Sequence, residues 1–273
     1  MSNKLLKRIS NLAFLCLFFT FGFPLAGKEV PDSSTAEWKN LKSSLFGNKE
    51  VISSNNIIGI EAPFRAEDAA VVPISITSKI AQNPNRFIKK IYLLIDKNPT
   101  PVAGIFTLSQ KAGRADIETR VRLEEYTFVR AVAELNNGDL HMAHRYVRAS
   151  GGCSAPAGKD QEAALARLGK MKLRTESGVT VGRPARAQVM VSHPNFSGMQ
   201  MDQVTRLYVP ARFVKKIEVF HSEEKLLTAN LDFAISENPN IRFFFTPTGK
   251  DNLRAKVLDS ENMTFEKSLA VKN

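Results

Sequence analysis

Arg86-Phe87-Ile88-Lys89-Lys90-Ile91-Tyr92-Leu93 returns later in the chain as Arg212-Phe213-Val214-Lys215-Lys216-Ile217-Glu218-Val219. Each copy is rich in β-branched and aromatic residues, which suit a half-buried strand. Each leads through a polar turn, Asp96-Lys97-Asn98-Pro99 or Ser222-Glu223-Glu224-Lys225, into a second strand-like run at 103–108 or 226–233. The second runs also close alike, Phe106-Thr107-Leu108-Ser109 against Phe233-Ala234-Ile235-Ser236. Strand, turn and strand at both places predict two hairpins and a chain whose halves share one plan.

Short alternating runs surround the hairpins. In the first half they fall at 71–77, 117–123, 126–134 and 140–147, with Asn136-Asn137-Gly138-Asp139 as a hairpin turn between the last two. In the second half they fall at 186–192, 242–246, 253–258 and 264–271. This spacing predicts an all-β protein of two immunoglobulin-like β-sandwich domains joined by a partly helical linker. Helical periodicity occurs at 34–46, where Trp38, Leu41 and Leu45 share a face expected to pack on the first sandwich. It recurs at 160–174, through Ala163, Ala164, Leu165, Leu168 and Met171. The expected divisions are 28–149 for the first sandwich, 150–183 for a loop and linker, and 184–273 for the second, entered at Gly182-Arg183-Pro184.

Ahead of the first sandwich, Lys4, Lys7 and Arg8 precede the apolar stretch Leu12-Ala13-Phe14-Leu15-Cys16-Leu17-Phe18-Phe19, and Pro24-Leu25-Ala26-Gly27 follows. That order is a secretory signal peptide over residues 1–27, too short in its apolar core for a membrane span of about twenty residues. Its removal implies a periplasmic protein without stable membrane insertion. The formal charge then falls from +11 to +8, because three bases and no acids leave. The remaining bases are interspersed with acids, so export and charge pattern argue against nucleic acid and allow docking to acidic exported partners.

With Cys16 removed, Cys153 is the one cysteine of the remaining chain, so no internal disulfide can form. It lies in Arg148-Ala149-Ser150-Gly151-Gly152-Cys153-Ser154-Ala155-Pro156. Gly151 and Gly152 predict a flexible, uncrowded mount, and Arg145, Arg148 and Lys159 predict a potential that favours the thiolate. A lone thiol in an oxidising compartment is a liability unless it serves a purpose.

These features together resemble a fusion of SoxY and SoxZ, the two subunits of the SoxYZ sulfur-compound carrier. Ala69-Ala70-Val71-Val72-Pro73-Ile74-Ser75-Ile76 is similar to an early SoxY strand, and Gly151-Gly152-Cys153 to the arm that closes SoxY. Val191-Ser192-His193-Pro194, Ser197-Gly198-Met199, Val209-Pro210-Ala211-Arg212-Phe213-Val214 and Ile235-Ser236-Glu237-Asn238-Pro239 are similar to SoxZ. The resemblance extends to fused carriers associated with periplasmic quinoprotein (PQQ) dehydrogenases. It implies a non-enzymatic carrier that holds a sulfur-containing intermediate covalently on Cys153 and presents it to periplasmic enzymes of a sulfur-compound or quinoprotein dehydrogenase pathway. It implies no catalytic residue, metal or cofactor beyond that adduct. One departure is plain: the family's arm ends its chain, whereas here 120 residues follow Cys153.

Other chemistry finds little support. His141 and His144 are three apart on a predicted strand, so their side chains face opposite ways and cannot share a metal. His193 reads as a strand exit and His221 as a solvated turn residue. Glu124-Glu125 and Glu223-Glu224 read as solvated carboxylates at strand ends, and the acceptor patterns Asn195-Phe196-Ser197 and Asn262-Met263-Thr264 are too short to carry weight. The chain lacks zinc-protease, nucleophile-elbow, phosphate-loop and dinucleotide motifs.

Overall fold

A computed structural model describes residues 30–156, 161–249 and 252–271. The expected signal peptide lies outside these residues. The first half supplies α1 (Ala36–Phe46) and strands β1 (Val51–Ser53), β2 (Ile58–Glu61), β3 (Val72–Ser78), β4 (Ile88–Ile95), β5 (Val102–Leu108), β6 (Ile117–Val121), β7 (Thr127–Leu135) and β8 (Leu140–Val147). The second supplies α2 (Gln161–Ala166), β9 (Met171–Thr175), β10 (Ala185–Val191), β11 (Val214–His221), β12 (Glu224–Leu231), β13 (Asn240–Phe245), β14 (Asn252–Asp259) and β15 (Thr264–Ala270).

The protein is nearly all β and forms two immunoglobulin-like sandwich halves. The echoing segments are β4 and β11, and each turns into its hairpin partner, β5 or β12. The halves are not merely tethered. A nine-stranded sheet runs β1-β8-β7-β4-β5-β12-β11-β14-β15, and a six-stranded sheet runs β2-β3-β6-β13-β10-β9. Both sheets therefore cross from one half to the other. At the centre of the larger sheet β5 and β12 pair antiparallel, with Phe106 opposite Ala229 and Leu108 opposite Leu227. This pairing satisfies two backbone edges that separate sandwiches would leave open. One apolar core lies between the sheets and includes Ile91 and Phe106 from the first half with Ile217 and Phe243 from the second.

Alternation places this core. In β3 the residues Val72, Ile74 and Ile76 point inward, and in β10 Ala185, Ala187, Val189 and Val191 do the same. β7 departs from alternation and is buried along almost its whole length. Its second face is covered by α1, whose Trp38 and Phe46 pack with Leu94, Val132, Leu140 and Met142. Thr35 caps that helix by accepting from Trp38 N at 3.1 Å. Under the helix, the Arg130 guanidinium donates to both Asp96 carboxylate oxygens at 2.6–3.0 Å and to Ser33 O at 2.7 Å, and lies 4.5 Å from the Trp38 ring centre.

The helix expected at 160–174 is shorter than its pattern suggested. α2 ends at Ala166, Gly169 takes φ +77°, and residues 171–175 become β9, paired with β10. A Cβ at Gly169 would lie 2.1 Å from the Phe265 ring, so the chain must turn there on a glycine. Part of the expected linker is thus an edge strand of the shared sheet. Among the described residues no helix is long and apolar enough to cross a membrane.

Candidate functional site

Cys153 follows β8 in a loop pressed between the two halves. Its exposure is zero, so the accessible thiol expected from the glycines is absent from this conformation. The glycines are there for a different physical reason. Gly151 takes φ +77°, a backbone region that L side chains rarely adopt. Gly152 packs so closely that a Cβ would lie 2.1 Å from Ala69 O and 2.8 Å from Leu123 O. Their amides are also fixed, Gly151 N donating to Glu124 O at 2.9 Å and Gly152 N to Leu123 O at 2.8 Å. The mount is a fitted turn.

Glu124 closes the turn from the first half. Its carboxylate accepts from Cys153 N at 2.9 Å, Ser154 N at 3.2 Å and Ser154 Oγ at 2.8 Å. From the second half, Ser197 Oγ donates to Cys153 O at 2.5 Å. The cysteine backbone is thus held from both sides by groups 73 positions apart. In sequence Glu124 reads as a solvated carboxylate, and Ser197 carries no role of its own. Ser197 does lie in one of the segments that resemble SoxZ, and that was the available signal.

Arg122 completes the surroundings. It is 2% exposed, and among the described residues no carboxylate pairs with it. Its guanidinium instead donates to four carbonyls of the second half: Asn195 at 2.7 Å, Phe233 and Ile235 at 3.0 Å, and Pro194 at 3.3 Å. Its Nε has no hydrogen-bond partner. Burial lowers the pKa of Arg122, opposed by attraction to Cys153, Glu237 and Asp68. The effect on the thiol is the reverse of the depressed value expected from neighbouring bases. Burial first, then repulsion by Glu124 and Asp232, pushes Cys153 up to about 12, although Arg122 pulls the other way.

Two of the Arg122 acceptors, Pro194 and Asn195, lie in a loop organised by His193. Its Nδ1 accepts from Asn195 N at 3.0 Å, and its Nε2 lies 3.6 Å from Asp259 Oδ2 with both side chains fully buried. Burial holds His193 at about 4, below its ordinary value, despite the attraction of Asp259. Asn195, with φ +49°, donates from Nδ2 to Ile235 O and accepts from Val214 N, so the acceptor pattern at 195–197 is occupied by the fold. His221, expected in solvent, is buried edge-on against Phe245 at 5.4 Å. His141 is buried and His144 stands against Phe128 at 5.4 Å. Among the described residues no group of three or more His, Cys, Asp or Glu could hold a metal. On the outer face of the six-stranded sheet lies a groove of about 620 Å³ lined by Glu61, Glu118, Arg120 and Arg242 among others. Its Arg242 and Glu118 pair at 2.8 Å, and Cys153 does not line it.

By sequence, residues 42–153 match the family described as sulfur oxidation protein SoxY. Residues 172–270 match the family described as sulphur oxidation protein SoxZ. The chain thus joins two sulfur-oxidation regions whose family members are carrier or accessory proteins. More closely, it is a SoxYZ-like fusion, with Cys153 at the boundary of its SoxY match. Comparison with curated proteins gives no match. Among solved structures, the sulfur carrier protein SoxY from Chlorobium limicola f thiosulfatophilum is 22% identical, with a TM-score of 0.34, covering 41% of this chain and 91% of that one. A superoxide reductase (neelaredoxin) from Ignicoccus hospitalis is 16% identical, with a TM-score of 0.31, covering 34% of this chain and 79% of that one.

Proposed function

We propose that the chain is a periplasmic thiol carrier that holds a sulfur-containing intermediate on Cys153 and offers it to partner enzymes. The observation that carries this reading is the construction around Cys153: Glu124, Arg122 and Ser197, drawn from both halves, converge on a cysteine that bridges no disulfide. The family matches support a role in sulfur oxidation, and the pathway partners follow from that role.

The closed conformation sets the order of events. A buried thiol far above neutrality is unreactive, so the 151–154 turn must leave Glu124 and Ser197 before chemistry. Once in solvent, the thiol ionises near its ordinary value and the thiolate becomes the nucleophile. In exchange with a donor that carries a disulfide or sulfane S–S bond, the Cys153 thiolate forms a new S–S bond as the donor's own S–S bond breaks. The leaving sulfur group departs with its electron pair, and the thiol proton passes to solvent. Arg122, left without a carboxylate partner, is suited to face an anionic adduct when the turn recloses.

Cys153→Ser tests the reading in cells that use the pathway. Loss of oxidation of the sulfur substrate, with the protein still folded, is the expected result. Burial of the thiol favours one other reading, a docking module for a quinoprotein dehydrogenase pathway in which the cysteine is dispensable. Full activity of Cys153→Ser would select it.

A further inference from the structure

Resting on the carrier reading above, we propose that the hairpin of residues 199–209 is the element that docks onto the enzyme that loads Cys153. Val204, Leu207 and Tyr208 would enter an apolar recess beside that enzyme's active-site mouth.

The hairpin is built to hold apolar side chains in solvent. Val204 is 92% exposed, Leu207 69%, Tyr208 65% and Met201 38%. Met201 and Tyr208 pair across it, Asp202 N donates to Leu207 O at 2.9 Å, and Val209 N donates to Gln200 O at 2.8 Å. At the tip, Asp202 Oδ1 accepts from Val204 N, Thr205 N and Thr205 Oγ1 at 2.7–3.0 Å, and Arg206 N returns to Asp202 O at 2.9 Å. The turn and its cross-strand bonds are thus internal to the hairpin, while Val204, Leu207 and Tyr208 stand mostly in solvent. A partner meets a preformed surface and loses little entropy in ordering it.

Place and size identify the partner. The hairpin is rooted on the residue that holds the cysteine: Ser197 Oγ donates to Cys153 O and accepts from Met199 N at 3.1 Å, while Ser197 N donates to Gln200 Oε1 at 3.3 Å. Whatever grips the tip lies beside the Cys153 turn and bears on one of its two restraints. The four side chains expose roughly 500 Å², within the size of functional surface patches. A stable interface buries about 800 Å² per partner, so this surface suits an enzyme that must bind and leave rather than a permanent second copy. Arg206 at the tip and the net charge of +8 left after removal of residues 1–27 (11 − 3) favour an acidic rim around the recess.

The test combines Val204→Ser, Leu207→Ser and Tyr208→Ser in the full chain, expressed in cells that use the pathway. The fraction of Cys153 carrying an adduct is read by intact mass without reductant. The expected result is at least a tenfold fall in loading, with unchanged thermal unfolding and a Cys153 that alkylates normally once denatured. Loading equal to wild type overturns the proposal. An unloaded wild-type protein instead removes the carrier reading, and the proposal with it. A wild-type dimer in sedimentation that the variant dissolves assigns the hairpin to self-association and also overturns it. Val204→Arg, at a position almost wholly in solvent, gives the same reading should the triple variant fail to fold.

Discussion

Arg122 and Arg130 are both essentially fully buried and lie eight residues apart, yet the fold neutralises them differently. Arg130 has a carboxylate: Asp96 takes it through both oxygens, and Trp38 covers its face. Among the described residues the hydrogen-bond acceptors of Arg122 are all carbonyls, and Glu237 and Asp68 attract its charge without bonding to it. The first arrangement locks α1 onto the sheet. The second keeps positive charge at the junction of the halves, next to the one described cysteine. A buried cation without a counter-ion is costly. Here four carbonyl dipoles of the second half offset that cost.

The sharpest way to break this comparison is to remove each arginine. Arg122→Met leaves up to three carbonyls without a donor, since Ile235 O keeps Asn195 Nδ2, at about 1–3 kcal/mol each. A loss on the order of 5 kcal/mol in urea unfolding is expected. Arg130→Met strands Asp96 instead, at about 3–5 kcal/mol. Adding Asp96→Asn should recover part of the second loss and deepen the first. Equal behaviour in both backgrounds would mean the two sites do not differ in kind.

The loop that supplies two of the Arg122 acceptors, Pro194 and Asn195, gives a pH test. His193 sits at about 4 in the folded chain, below about 6.5 in the unfolded one. As pH falls, the unfolded chain takes up the proton first. The stability from neutral His193 is therefore full above about 6.5 and lost as pH drops through about 4, by on the order of 3 kcal/mol. Unfolding free energies across that window should show this slope, and His193→Gln should flatten it.

Gly152→Ala separates a fitted turn from a merely flexible one. The added Cβ meets the Ala69 and Leu123 carbonyls, so a loss of about 1–3 kcal/mol and faster alkylation of native Cys153 are expected. A neutral result would return these glycines to the role of simple spacers. The smallest effect is at Glu124→Gln, which removes a repelling charge and weakens the turn's contacts. Native alkylation should quicken by about tenfold, as losing about 1.4 kcal/mol of the hold on the turn raises its open population by that factor.

The repeated Arg-Phe motif and the alternation of the strands made the sandwich halves legible before any coordinates. Fusion of the sheets through β5 and β12 was not, because strand patterns describe faces and carry no signal for which edge meets which. Cys153 stood out by its solitude, but Gly-Gly has two opposite physical meanings, freedom and close approach, and only the nearby Ala69 carbonyl decides between them. Arg122 and Glu124 looked like ordinary polar residues of a strand end. Arg122 is buried by the 193–197 and 233–237 segments of the other half, and Glu124 is half-buried by the 151–154 turn that folds back on it, contacts that lie far away in sequence.

The most direct measurement is the intact mass of the protein purified from its native cells without reductant, followed by peptide mapping. The account predicts a sulfur-containing increment on the Cys153 peptide that reductant removes. An unmodified Cys153 in cells with an active pathway would contradict it.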